Sequence, residues 1–159
     1  MAVKKPIVQY SGQLAELAAG DDLGVSSNAM EITAINGEAG AIVIGTPVYV
    51  SAAGTVKKAQ ATSAALEKCV GLVADASIAA AATGGVLVNG LLAATTGQWD
   101  AVTGEVGGLT AGAQYFLDVT LGLLSQTAPS AAGQYVRRIG RAFSTTEMLV
   151  EIAQSVLLS

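Results

Sequence analysis

Few residues in this 159-residue chain can do chemistry, and their spacing restricts it further. Histidine is absent, which removes the Ser-His-Asp triad, the Cys-His dyad and any His-bearing zinc site. The single cysteine, Cys69, can form neither an intrachain disulfide nor a CxxC centre. Beside Val70 in an apolar run, it reads as a small buried hydrophobe rather than a nucleophile. Asp21-Asp22 is the sole adjacent carboxylate pair and reads as a solvated turn without the EF-hand pattern. Asp75, Asp100 and Asp118 stand alone. Gly40-Ala-Ile-Val-Ile-Gly45-Thr46 has the glycine spacing of a phosphate loop but lacks its lysine, so a buried strand is expected there. No catalytic, cofactor-binding or metal-ligating set emerges. The expectation is a protein that is not an enzyme and carries no cofactor.

What remains is positive charge in small groups: Lys4-Lys5, Lys57-Lys58, and Arg137-Arg138 with Arg141. Such groups serve solubility, or they dock onto an acidic partner, for which arginine is favoured at interfaces. With Pro6 and Tyr10 of the N-terminal arm, these basic residues are the candidate partner-binding positions. The formal net charge of −4 argues against a nucleic-acid partner, because basic charge supplies most of that affinity. The lone Trp99 is expected to plug the core at the end of a barrel rather than to hold a ligand.

The elements that must position these residues are short. Residues 1–10 read as an extended arm and 11–159 as a single β domain. Ser11 to Gly24 permits either a helical turn, from Leu14 and Leu17 with Gly20 as a stop, or an extended piece. From residue 25 the punctuation is that of a β protein, with Asn36-Gly37 as a hairpin-type dipeptide. Apolar runs follow at 41–44, 46–50, 70–73, 86–88, 114–117, 121–124 and 135–139, bounded by Gly, Ser and Thr. Met148, Val150 and Ile152 alternate with Glu147, Leu149 and Glu151, a strand with one wet face. Thr96 to Gly104 reads as one capped helical turn. Ala76 to Ala82 reads as a loop climbing over a barrel edge, despite alanine's helix propensity. The fold class expected is all-β: a compact sandwich or barrel of short antiparallel strands with at most one or two helical turns.

A repeat organises the centre. Gly45-Thr-Pro-Val-Tyr-Val50 aligns with Gly112-Ala-Gln-Tyr-Phe-Leu117, and Ser63-Ala-Ala65 aligns with Ser130-Ala-Ala132 at the same offset. Val70-Gly71 matches Ile139-Gly140 after a two-residue insertion. The two copies, about 45–74 and 112–142, read as related β-meanders that bury apolar faces against each other.

Only 13% of residues are charged, about half the usual share of 25%. The longest charge-free window, Ala76 to Trp99, is broken by Gly84, Gly85, Asn89, Gly90 and Gly97, so it does not read as a membrane span. The first ten residues lack the apolar core of a signal peptide. The expectation is a protein made in the cytoplasm, with no membrane partner.

Several stretches resemble a known family. They are Ser11-Gly-Gln-Leu-Ala-Glu-Leu-Ala-Ala-Gly-Asp-Asp-Leu23, Gly84 to Gly104, Gly108-Leu-Thr-Ala-Gly-Ala-Gln-Tyr-Phe-Leu117, Leu124 to Val136 and Ile139-Gly-Arg-Ala-Phe-Ser144. The pattern G-L-T-x-G-x-x-Y-x-L … T-A-P … G-x-x-V-x-x-I-G-x-A is similar to that of tailed-bacteriophage head decoration (cement) proteins. It also occurs in modules of tail fibres and other virion proteins. The resemblance implies a virion structural protein, with the major capsid protein and further copies of itself, plausibly in threes, as partners. It would sit on the outside of the capsid lattice and stabilise the expanded head, and it implies no catalytic residues. The alternative reading is a receptor-binding module of a tail fibre or adhesin. Against it stand the few aromatic residues available for a sugar-binding face and the lack of a repetitive shaft.

Overall fold

In the computed structural model, residues 29–159 are described in full. Of residues 1–28 it describes only the backbone of β1 (Ile7–Tyr10) and β2 (Gln13–Glu16), which pair antiparallel with each other. Of the two alternatives for 11–24, β2 takes the extended one at Gln13–Glu16 rather than a helical turn through Leu14. The rest of that segment, the remainder of the expected arm of residues 1–10 and the turn at Asp21-Asp22 lie outside the described residues.

From residue 30 the chain forms β3 (Met30–Asn36), β4 (Ile42–Val43), β5 (Pro47–Ala52), β6 (Thr55–Lys58), β7 (Cys69–Val73), β8 (Ser77–Ile78) and β9 (Thr83–Ala93). The helix α1 (Thr96–Thr103) follows. Then come β10 (Gln114–Leu117), β11 (Leu124–Ser125), β12 (Tyr135–Val136), β13 (Arg138–Ala142), β14 (Glu147–Glu151) and β15 (Val156–Leu157). Nine of these strands make one sheet in the order β11-β10-β13-β14-β9-β3-β6-β5-β7, and β7 also pairs with β9. That pairing closes β9, β3, β6, β5 and β7 into a five-stranded barrel. The far half of β9 carries β14, β13, β10 and β11 as an open sheet. The all-β class and the barrel or sandwich character follow from this arrangement. One pair departs from the antiparallel expectation: β3 and β6 run parallel, Ile35 beside Thr55 and Asn36 beside Val56.

Side-chain alternation along the strands sorts the apolar residues into two cores. Ala34, Val48, Val56, Val73 and Val86, one from each barrel strand, fill the lumen together with Ile42 and Ile78. Alanine and valine suit so narrow a lumen. Their neighbours Leu72 and Leu87 face the other way, into a larger core with Leu92, Tyr115, Leu117, Ile139, Met148 and Val150. This core lies between the barrel wall and the inner face of the open sheet, and it receives Trp99 and Val102 from α1.

The helix forms where its caps permit. The Thr95 hydroxyl accepts from the Gln98 amide while the Gln98 side chain accepts from the Thr95 amide. Gly104, in the left-handed conformation at φ 69, ends the helix. Trp99 is fully buried and donates its Nε1 proton to the Thr146 carbonyl at 3.0 Å. It belongs to the larger core, not to the barrel end, which Ile42 and Ile78 fill from the paired strands β4 and β8.

Three local expectations shift. Asn36-Gly37 turns no two-stranded hairpin. Asn36 is buried, its amide nitrogen donating to the carbonyls of Gly40 and Ile78, each at 2.9 Å, so it anchors the lid strands to the barrel. The 40–46 stretch is strand only at Ile42–Val43 before it turns at Gly45. The alanine-rich 76–82 segment passes over the barrel end and contributes β8 on the way. Among the described residues, no helix is long and apolar enough to cross a membrane.

The two sequence copies fold alike. β5 pairs with β6 and β7, and β10 pairs with β11 and β13, all antiparallel. Val48 stands opposite Gly71 and Tyr115 opposite Gly140, and each pair is followed by a bulge. The backbone bonds repeat at equivalent positions, allowing for the two-residue insertion. Gly45 donates to Val73 and Gly112 to Ala142, while Val73 donates to Thr46 and Ala142 to Ala113. Gly45 and Gly112 take φ values of 81 and 80, where side chains are strained.

Candidate binding surface

Local chemistry comes first. Among the described residues, no group of three or more His, Cys, Asp and Glu comes together as a metal site would need. A shallow groove of about 310 Å³ lies beside β11, between Asp118, Ser125, Thr127, Ser130 and Gln134. Asp118 is its one ionisable group, and its carboxylate accepts from the Thr120 amide. The Cys69 thiol is buried, donates to the Gly71 carbonyl at 3.4 Å, and is pushed up to about 12 by desolvation. A thiol held protonated in this way is a poor nucleophile. The Tyr115 hydroxyl donates to Glu105 and accepts from the Thr110 amide, both at 2.9 Å. Desolvation raises its pKa. This cluster, with Gln126 bonded to Glu105, Thr110 and Tyr115, ties the segment that follows α1 to β10 and the residue after β11.

The basic residues do not converge on one patch. Lys4, Lys5, Pro6 and Tyr10 lie outside the residues whose side chains are described. Lys57 and Lys58 lie on β6 of the barrel, where the Lys58 amide donates to Glu38 at 2.9 Å. Arg137 faces inward. Its guanidinium meets the Glu67 carboxylate at 2.9 Å, the Cys69 carbonyl at 3.3 Å and the Ser155 hydroxyl at 3.3 Å. The Arg137 and Glu67 side chains are 16% and 8% exposed, so this arginine joins the two repeat copies internally. Arg138 points outward to Glu151 at 3.4 Å, and Arg141 is exposed with no acidic partner among the described residues. Adjacent strand residues face opposite ways, which sends Arg137 inward and Arg138 outward. The bulge opposite Tyr115 and Phe116 lets Arg138 and Arg141, three residues apart, share the outer face.

Arg138 and Arg141 lie on the outer face of the open sheet. There Arg141 pairs with Leu149 and Leu149 with Leu91 across β13, β14 and β9. Leu91 and Leu149 are each 47% exposed, and Met30, opposite Asn89, is 60% exposed. Glu147 and Glu151 flank Leu149 on the same strand face. The sequence pointed to part of this surface, since Leu149 falls on the wet face with Glu147 and Glu151. Leu91 and Met30 were missed because their place depends on pairing between distant strands.

Comparison of the chain with protein-family models, with curated proteins and with solved structures finds no match.

Proposed function

We propose that this chain is a structural protein of a tailed-phage virion that decorates and cements the head. In this reading it binds the outside of the major capsid protein lattice as a homo-oligomer and stabilises the expanded shell. The observation that carries the proposal is where the resembling residues fall. The stretches 108–117, 124–136 and 139–144 supply β10, β11, β12 and β13, most of the open sheet and of the second repeat copy. A protein that binds only the expanded lattice stabilises that state by mass action, and many weakly held copies add through multivalency. Low charge suits the role, because few ions have to be desolvated when a face is covered. The basic residues at Lys57, Lys58 and Arg138, with the arm residues Lys4, Lys5, Pro6 and Tyr10, are the contacts assigned to acidic lattice surface. The arm can act by adding a strand to a neighbouring sheet edge. Sedimentation of the purified protein with expanded and unexpanded shells tests the reading.

A further inference from the structure

The barrel and the open sheet are one continuous sheet, so the face that lines the lumen emerges on β9 as the outer face of the open sheet. Inside the barrel that face is closed by its own curvature, and Val86 is fully buried. Beyond Asn89 the curvature ends, but the apolar character continues through Met30, Leu91 and Leu149. Phe143, at the turn joining β13 to β14, is 73% exposed beside them. Open-sheet strands ordinarily place polar residues on a solvent face, and a cluster of large apolar ones there marks a contact surface.

The charges around the cluster identify the occupant. Arg141 lies on one side of Leu149 and has no acidic partner among the described residues. Glu147, paired across the strands with Ala93, lies on the same face; it accepts from Ser144 and has no basic partner there. An apolar centre with one unmatched charge of each sign is complementary to itself. A two-fold operation sets the Arg141 of each copy against the Glu147 of the other while the leucines meet.

We propose that this face, centred on Leu91 and Leu149, joins two copies of the chain in an isologous dimer. The proposal goes beyond the decoration reading and replaces copies in threes with copies in pairs.

Sedimentation velocity of the full chain over a concentration series tests it, with circular dichroism to verify folding. The wild-type chain is expected to pass from monomer to dimer as concentration rises. Leu149→Asp is expected to weaken the association at least tenfold with an unchanged spectrum. Arg141 is exposed and Glu147 half-buried, and neither belongs to a core cluster, so Arg141→Glu and Glu147→Arg provide variants that do not disturb the core. Each is expected to weaken the dimer, and the double reversal to restore it. A chain that stays monomeric throughout overturns the proposal, whether residues 1–28 or another protein then covers the face. So does a trimer, a dimer indifferent to Leu149→Asp, or a double reversal that fails to rescue. A monomer that still binds expanded shells refutes the dimer alone, and a dimer that binds no shell refutes the decoration reading alone.

Discussion

Arg137 shows how much of this fold rests on single polar contacts. The guanidinium lies against Glu67 on a segment seventy residues away in sequence and also holds the Cys69 carbonyl. Replacing Arg137 with Met would strand a buried carboxylate, for which about 3–5 kcal/mol of lost stability is expected. The double replacement Arg137→Met with Glu67→Leu should recover most of that, and urea midpoints of the three proteins check it. Cys69 gives a second prediction. Its thiol ionises near 12 in the folded chain against an ordinary 9.0, so the unfolded chain releases this proton first as pH rises. Stability is therefore intact below pH 9.0 and falls between there and about 12, and Tyr115 acts in the same direction above its ordinary 10.0. Denaturant midpoints measured upward from about pH 8 should decline, and Cys69→Ala should flatten the decline.

Among the elements, the repeated three-stranded unit is the structural theme, and two glycines set its limits. A Cβ on Gly71 would fall on the Leu87 carbonyl, and one on Gly140 on the Leu149 carbonyl. Both glycines occupy the same place in their copies, where the next strand crosses closely. Gly71→Ala and Gly140→Ala should each cost about 1–3 kcal/mol through forced backbone shifts, read as lowered urea midpoints. Much of this level was legible from the sequence. The strands around 47–50, 70–73, 114–117 and 147–151, the helical piece at Thr96 to Gly104 and the repeat offset all rest on local pattern, although the capping residue is Thr95, one position earlier. Barrel closure was not legible, because it depends on β7 meeting β9 and on the parallel pairing of β3 with β6, neither of which leaves a local trace. The bulges were equally hidden. One of them puts Arg138 and Arg141, three residues apart, on the same outer face, while alternation turns Arg137 inward. The basic cluster that looks uniform in sequence thus divides between the interior and the candidate surface.

For the whole molecule, the low charge and the scarcity of aromatics have a common geometric account. A five-stranded barrel takes alanine and valine in its lumen, and the larger core needs few bulky groups beyond Trp99 and Tyr115. Charge is sparse on the outer sheet, where Arg138, Arg141, Glu147 and Glu151 stand around Leu91 and Leu149. Such a molecule is suited to having surface covered by neighbours, and the proposed decoration role would supply a lattice as the place for it. The most direct test of the proposed role mixes the purified chain with expanded and with unexpanded heads of the tailed phage to which that role would assign it, pelleting each and quantifying the bound protein. Saturable binding to expanded heads and little to unexpanded ones is expected. Equal binding to both, or binding to host cells with none to either head, would contradict it.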